Sequence, residues 1–239
     1  MEQSVLYEKK EATALITLNR PERRNSFNNA LLSQLYDNIE KASNDSSIRV
    51  LIITGNGPSF SSGIDLKALG AGEEIFDPRG DNKELPDIME SCTKPIIGAV
   101  NGHAITGGFE LALNCDFLIA SEAAAFADTH AKVGIHPGWG MTQLLQQAVG
   151  MRMAKQMSLS CQFIDAQTAL RYGLVNEIVS QNKLIDRALE IAEFISQTND
   201  TMMNTVKNLI EHRNTSTLKK SYEHERSEFH NFVAKHMKK

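Results

Sequence analysis

The stretch that decides the fold is residues 94–116, which read KPIIGAVNGHAITGGFELALNCD. The apolar run IIGAV at 96–100 is typical of a buried strand. A glycine-bearing turn follows, and the apolar stretch after Gly107 predicts a helix that ends before a second strand-like run, DFLIA at 116–120. A strand, a helix and another strand in such close succession predict an α/β layer structure.

The same alternation extends along the chain towards the N-terminus. Apolar, β-branched runs at 12–18 and 50–54 predict two strands, and the segment 28–42 has its apolar residues at helical spacing. A further helix is expected at 84–92. Between Gly70 and Leu85 the periodicity is lost and glycines and acidic residues dominate, which predicts a mobile surface loop that serves as a lid over the binding site.

The C-terminal part of the sequence is predicted to be helical. Apolar residues recur there at helical spacing in three stretches, 185–195, 202–210 and 218–233. Such stripes are compatible with packing onto the chain's own core or against another subunit. An apolar stripe indicates that one face of a helix is buried, but not which surface covers it. We therefore divide the chain into an α/β core with the ligand site, residues 1–182, and a C-terminal helical region for subunit packing, residues 183–239.

The composition limits the classes of function. The 239 residues are enough for one well-buried globular domain, and a formal net charge of −4 argues against a dominant nucleic-acid surface. The cysteines Cys92, Cys115 and Cys161 are far apart and form no CxxC pair, so no metal site or disulfide framework is expected. The charged residues near the N-terminus are not expected to form a secretory segment, and no apolar run approaches the roughly 20 residues that span a bilayer. We expect a soluble, cytoplasmic protein without a membrane or nucleic-acid partner.

Two turns that directly follow predicted strands, called strand exits below, are the candidate binding sites in the sequence. No GxxxxGK[ST] loop or complete dinucleotide fingerprint is present. Glycine-bearing turns instead follow strands in the segments 53–69 and 100–113, and each turn leads into a predicted helix. The first N–H groups of such helices point outward and can hold an oxyanion. Two such exits side by side would supply one donor each.

The chain resembles the crotonase family, the enoyl-CoA hydratases and isomerases, in fragments that follow the family's order. These are LNRPERRNSFN at 18–28, SFSSGIDL at 59–66, residues 94–116 quoted above, VGIHPGWG at 133–140 and ALRYGLVNEIV at 169–179. The resemblance implies an α/β fold, a crotonase-like spiral of ββα units with a C-terminal helical trimerisation region. It also implies a homotrimer or a dimer of trimers and an acyl-CoA thioester as ligand. Coenzyme A is then part of the substrate, and no separate cofactor is implied.

The resemblance also implies roles for single residues. The backbone N–H groups of Ile64 and Gly107 match the family's oxyanion hole, in which one donor is worth about 3 kcal/mol of barrier. Glu110 matches a catalytic glutamate, and its apolar neighbours are expected to raise its pKa. At the position of the family's second glutamate this chain has His130, and Asp128 lies two residues earlier. His130 would take the second acid/base role or order water.

The CoA end of the ligand is expected to meet positive charge. Arg23 and Arg24 lie beside the first strand, and guanidinium groups suit phosphates. The other residues expected to line the acyl-CoA site are Ser62, Asp65, Leu66, Lys67 and Trp139.

Each assignment has a simpler alternative. Glu110 would be the solvated edge of a half-buried helix, since most helical glutamates are exposed. His130 would be a hydrogen-bonded structural or surface histidine, and Asp128 would only cap a turn. Arg23 and Arg24 would form a solvated turn.

We expect the chain to be an enoyl-CoA hydratase that adds water to 2-enoyl-CoA thioesters. Isomerisation of the enoyl double bond is an alternative, because it requires only one carboxylate to move a proton. Decarboxylation or thioester hydrolysis would use the same oxyanion hole. A non-catalytic acyl-CoA binder is the alternative outside the enzymes.

Overall fold

The computed structural model describes residues 3–237, and the strands in this range share two sheets. In chain order they are β1 (Val5–Lys10), β2 (Thr13–Leu18), β3 (Val50–Gly55), β4 (Ser59–Ser61), β5 (Ile96–Val100), β6 (His103–Ile105), β7 (Phe117–Ser121), β8 (Ala125–Ala127), β9 (Ile164–Asp165) and β10 (Glu177–Val179). The α-helices are α1 (Asn29–Asn44), α2 (Leu66–Gly70), α3 (Leu85–Ser91), α4 (Gly107–Leu113), α5 (His130–Val133), α6 (Met141–Ser160), α7 (Ala166–Arg171), α8 (Leu184–Ser196), α9 (Asp200–Thr215) and α10 (Leu218–His236).

The two sheets are filled alternately along the chain. The larger sheet has the order β1-β2-β3-β5-β7-β10 and the smaller one β4-β6-β8-β9. From β3 onward, a strand of the larger sheet is followed by a strand of the smaller sheet and then by helix, three times in succession. Each repeat adds one parallel strand to each sheet, so the chain advances as a spiral of ββα units. The predicted α/β spiral is therefore confirmed.

The inner strands of the larger sheet, β2, β3, β5 and β7, are buried on both faces, as parallel strands joined by helices require. Alternate residues of β3 point to opposite sides, so Leu51 and Ile53 join the main core while Val50 and Ile52 join a second cluster. Both clusters are nearly free of solvent exposure. Because both faces of these strands are buried, their sequences are apolar at successive positions instead of alternating.

Helix α8 covers the second face of the larger sheet. Its residues Leu184, Ala188 and Ala192 are buried in the same cluster as the strands. For this reason the first compact unit extends to Ser196, and the second begins at Gln197. The predicted division after residue 182 assigns α8 to the C-terminal region instead.

The second unit contains α9 and α10, joined by a short link. Neither helix has a fully buried residue in its described part. Large apolar side chains are instead exposed, among them Ile210 (69%), Tyr222 (60%) and Phe229 (61%). The apolar stripes predicted at 202–210 and 218–233 thus remain largely uncovered in the described part of the chain.

The predicted loop lies between α2 and α3, where residues 71–84 have no helix or strand. Arg79 connects it to α1, because its guanidinium donates to Glu40 at 2.7 Å and to Asp37 at 3.0 Å. Within residues 3–237, no helix is both long and apolar enough to cross a bilayer.

Candidate active site

The two predicted oxyanion donors lie side by side. Strands β4 and β6 are parallel neighbours, and their exits bring Ile64 next to Gly107. A Cβ atom placed on Gly107 would lie 3.6 Å from the backbone nitrogen of Ile64. Among residues 3–237, neither of these two N–H groups finds an acceptor in the protein. Both are therefore available to one oxygen atom of a ligand.

Gly63 allows this close approach. Its φ of +82° is in the left-handed region, and a Cβ atom there would lie 2.9 Å from both the Gly107 nitrogen and the Ile105 oxygen. Any larger residue at 63 would push the two exits apart. The glycine in SFSSGIDL is thus required by the geometry of the site.

Thr106 sets the direction of the Gly107 N–H in a strained conformation. It has φ +53° and ψ −115°, which is unusual for a β-branched residue. Its N–H donates to the Ala127 oxygen at 2.9 Å, and its hydroxyl pairs with that of Thr129. Strain of this kind persists only where the surroundings hold it, and it is concentrated at functional sites.

Glu110 is buried in α4, with 2% of its surface exposed. Its Oε1 accepts the backbone N–H groups of Trp139 at 2.9 Å and Met141 at 3.2 Å. Its Oε2 faces His130 Nε2 at 3.6 Å. Burial raises the pKa of Glu110, although the two backbone hydrogen bonds and His130 oppose the rise. The alternative of a solvated helix edge is therefore wrong.

His130 and Asp128 form a buried pair beside Glu110. The ring Nδ1 of His130 lies 2.7 Å from Asp128 Oδ1, and the same oxygen accepts the His130 backbone N–H at 3.1 Å. Burial alone would raise the pKa of Asp128, but hydrogen bonds from His130 and Ser158 outweigh it and hold the pKa below its usual range. Asp128 thus caps the turn, as the simpler alternative stated, and also contacts the ring.

The Trp139 side chain forms a wall of the site. Its ring atom Cζ3 would lie 3.4 Å from a Cβ atom on Gly107, and its indole Nε1 donates to Glu84 Oε2 at 2.7 Å. The ring also lies against Phe27 and Phe76, with centroid distances of 6.1 Å and 6.3 Å. These three partners of Trp139 were not found from the sequence, because no local pattern links residues so far apart.

Arg23 and Arg24 lie beside the first oxyanion segment. The Arg24 carbonyl accepts the Ser62 N–H at 3.0 Å, and the Phe27 N–H donates to the Gly63 oxygen at 2.8 Å. Both arginines are exposed. Neither forms an ion pair with an acidic group in the described part of the chain. Their position is compatible with a phosphate group at the mouth of the site.

Three of the predicted ligand contacts, Asp65, Leu66 and Lys67, lie at the start of α2, and only Asp65 forms side-chain bonds among the residues that the structure describes. Asp65 caps the helix and accepts Arg20 at 3.3 Å and Ser26 at 3.2 Å. Burial would raise the Asp65 pKa, but the hydrogen bonds prevail and lower it. Its carboxylate therefore works within the fold, and a ligand contact through it stays a prediction. Leu66 and Lys67 are exposed at the start of the helix.

Comparison with known proteins identifies the family. Residues 8–239 match the family model described as enoyl-CoA hydratase/isomerase. The chain is 41% identical over 215 residues to the probable peroxisomal enoyl-CoA hydratase 1 of Arabidopsis thaliana, covering 87% of this chain and 79% of the relative. It is 41% identical over 197 residues to the short-chain-enoyl-CoA hydratase of Clostridium acetobutylicum, covering 80% and 75%.

Comparison of the fold with solved structures indicates the same family. The crystal structure of enoyl-CoA hydratase from Bacillus anthracis superposes with a TM-score of 0.88 at 32% identity, covering 98% of this chain and 92% of the other. The resemblance stated from the sequence fragments is confirmed by these matches. The chain is a member of the enoyl-CoA hydratase/isomerase family, the crotonase enzymes.

Proposed function

We propose that the chain hydrates 2-enoyl-CoA thioesters to 3-hydroxyacyl-CoA thioesters. The observation that carries the proposal is the buried Glu110 carboxylate, one turn behind Gly107, whose N–H lies beside that of Ile64. A base near two free donors suits a reaction in which negative charge builds on a thioester oxygen. The names of the relatives from Arabidopsis thaliana and Clostridium acetobutylicum support the same reaction.

In the proposed reaction the thioester oxygen accepts the N–H groups of Ile64 and Gly107. Glu110 takes a proton from water, and the water oxygen forms a bond to the β-carbon. The electron pair of the double bond moves to give an enolate, whose negative oxygen stays at the two donors. Each donor is worth about 3 kcal/mol if it binds the enolate more strongly than the substrate.

The α-carbon must then receive a proton. Glu110 can deliver the one that it took, or it can pass that proton to His130 Nε2, which then delivers it to the α-carbon. The distance of 3.6 Å between Glu110 Oε2 and His130 Nε2 supports the second route. It exceeds a direct hydrogen bond, so a small side-chain movement or a bridging water would complete it. Either route returns both groups to their starting states.

The rest of the substrate would lie across the predicted ligand residues. Arg23 and Arg24 would bind phosphate groups of coenzyme A, because both guanidinium groups are exposed beside the first oxyanion segment. Trp139 would face the acyl chain, since its ring lies against Gly107. Contacts from Ser62, Leu66 and Lys67 would complete the site.

The oligomeric state and the compartment belong to the same proposal. We infer a homotrimer, or a dimer of trimers, because α9 and α10 expose large apolar side chains that a second chain would cover. Sedimentation velocity would test the state. We further infer a cytoplasmic location, although the relative from Arabidopsis thaliana is named as peroxisomal. Fractionation of cells that express the full-length protein would test the location.

The experiment is a product analysis with matched substrates. Pure protein is incubated with 2-enoyl-, 3-enoyl- and malonyl-type CoA esters, and the products are identified by mass. Hydration adds one water to the 2-enoyl ester. Rearrangement without a change in mass would indicate an isomerase, loss of carbon dioxide a decarboxylase, and free coenzyme A a thioester hydrolase. Binding without any product would indicate a non-catalytic acyl-CoA binder.

Two variants then test the assigned roles. Glu110→Gln keeps the carbonyl oxygen that accepts the two backbone N–H groups, so it should fold and lose about 100-fold or more in rate. Glu122→Gln, on the surface, is the matched control. Full activity of Glu110→Gln would reject Glu110 as the acid/base. Wild-type activity of His130→Ala would remove His130 from the mechanism.

A further inference from the structure

We propose that Asp128 is a positioning residue for His130: it fixes the orientation of the imidazole so that Nε2 faces Glu110, and it supplies the negative charge that balances the protonated ring. The proposal rests on the hydration reaction above and assigns to it a third buried side chain. Asp128 itself touches no reacting atom. It acts through His130.

The geometry of Asp128 restricts the ring at two points. Its Oδ1 accepts the backbone N–H of His130 at 3.1 Å and lies 2.7 Å from the ring Nδ1. The Ser158 side chain, from α6, also helps to hold the pKa of Asp128 low. With the backbone of residue 130 and the ring held by one oxygen atom, rotation of the imidazole would break a buried hydrogen bond. Nε2 is therefore held towards Glu110.

The hydrogen bonds also determine which ring nitrogen carries a proton. An ionised carboxylate only accepts, and the lowered pKa of Asp128 keeps it ionised. Nδ1 must then be the donor, so in the neutral ring Nε2 has a free lone pair. Glu110 Oε1 is occupied by two backbone N–H groups, which leaves Oε2 as the oxygen that faces this lone pair. Nε2 and Oε2 can thus share one proton.

Charge balance explains the need for a second carboxylate. The titratable groups that face the ring are Asp128, just before α5, and Glu110, from α4. When the ring takes the proton from Glu110, a positive charge forms in a buried place, where an unpaired charge is costly. Asp128 at 2.7 Å compensates it, because a nearby negative charge stabilises the imidazolium. Without that charge, the proton would stay on Glu110 and the route through His130 would be closed.

The competing explanation is that Asp128 only caps the turn before α5. Asp128→Asn separates the two roles, because the amide oxygen still accepts the backbone N–H while the charge is lost. Asp165→Asn is the matched control, since Asp165 caps α7 through the Thr168 N–H and lies on the surface. Asp128→Ala removes both the charge and the cap.

The test combines steady-state kinetics with ring spectroscopy of the full-length protein. Long-range ¹H–¹⁵N correlation spectra of histidine-labelled protein report which nitrogen of each ring is protonated. The His130 signals are assigned by their loss in His130→Gln. We expect wild-type His130 to keep the proton on Nδ1. In Asp128→Asn the preference for the proton on Nδ1 should weaken, because the amide no longer carries the charge that favours this tautomer.

In the kinetic arm, Asp128→Asn should lower kcat by about 10- to 1000-fold with KM within about twofold, because the proton transfer and not binding is affected. Asp165→Asn should match the wild type in both arms. If Asp128→Asn leaves kcat or the ring tautomer unchanged, the proposal is overturned and Asp128 is a turn residue. If Asp128→Ala fails to fold, Asp128→Asn still decides. Wild-type protein that turns over no 2-enoyl-CoA would defeat the hydratase proposal, whereas the spectra would still test the link between Asp128 and His130.

Discussion

The Glu84 carboxylate accepts a hydrogen bond of 2.7 Å from the indole Nε1 of Trp139. Glu84 is the residue that caps α3, at the end of the loop 71–84. Trp139 lies against Gly107 and its backbone N–H donates to Glu110, so one residue contacts the loop, the proposed oxyanion donor and the proposed acid/base. A substitution of Glu84 should therefore alter the position of the indole ring and, through it, the shape of the site.

Glu84→Ala should loosen the Trp139 wall and widen the range of accepted acyl chains. We expect kcat/KM for a long-chain 2-enoyl-CoA to rise relative to a short-chain one by about tenfold, a difference of about 1.4 kcal/mol. The measurement is the ratio of the two kcat/KM values. Glu90→Ala, exposed on the same helix, is the control. An unchanged ratio in Glu84→Ala would show that the indole is held by packing alone.

Gly107→Ala and Gly63→Ala should separate catalysis from folding. The methyl group on residue 107 meets only ordinary contacts, but it lies 3.6 Å from the Ile64 nitrogen, where the thioester oxygen binds in the proposed reaction. This variant should melt near the wild-type temperature and lose about 100-fold or more in kcat. The methyl group on residue 63 would instead collide with backbone atoms at 2.9 Å, at a φ of +82°.

Gly63→Ala should accordingly lose about 3 kcal/mol or more of unfolding free energy. Gly134→Ala is its control, because Gly134 has a similar φ of +77° but nothing within 4 Å of the added atom. That control should lose only about 1–2 kcal/mol. Urea unfolding measures all three variants. Equal losses at 63 and 134 would mean that the close approach of the two exits does not matter.

The buried Glu110 should make stability depend on pH in a defined direction. Burial raises its pKa in the folded chain above the value in the unfolded chain. Between those two values the folded state binds more protons, so the unfolding free energy falls as pH rises through that window. Glu110→Gln removes this titration. Its stability relative to wild type should therefore be higher at neutral pH and converge below about pH 4.

Urea unfolding of wild type, Glu110→Gln and the surface control Glu122→Gln at a series of pH values checks this expectation. A stability difference between wild type and Glu110→Gln that stays constant with pH would contradict it.

Replacing Arg23 and Arg24 together by glutamine should weaken binding of coenzyme A esters without affecting the chemical step. We expect KM to rise about tenfold with kcat unchanged, because phosphate contacts far from the reacting carbons act equally on ground and transition states. The rise should shrink at high salt. Arg152→Gln, exposed on α6, is the control. A fall in kcat with constant KM would place the two arginines elsewhere in the mechanism.

Local features of the fold and site could be predicted from the sequence. The strand at 96–100, the helix after Gly107 and the position of Glu110 behind that glycine all depend on periodicity and turn residues over short distances. The order of the family fragments added the pairing of Ile64 with Gly107. These features are local, or are carried by motifs that the family repeats.

Long-range contacts could not be predicted in the same way. The bond between Glu84 and Trp139 joins residues far apart in the chain, and nothing near either one indicates the other. The apolar stripe of α8 predicts burial, but it does not tell whether the sheet or another subunit covers it. The boundary at Ser196 rather than at residue 182 follows from that ambiguity.

The two N–H donors of Ile64 and Gly107 belong to separate strand exits, and only the pairing of β4 with β6 brings them together. Under the proposed mechanism, catalytic activity therefore reports whether the strands of the smaller sheet are still paired. In mild denaturant, a chain that opened this sheet while keeping the larger one would lose the proposed oxyanion site with most of its backbone signal intact. Enzymatic activity would then record a partial opening of the molecule that circular dichroism does not resolve.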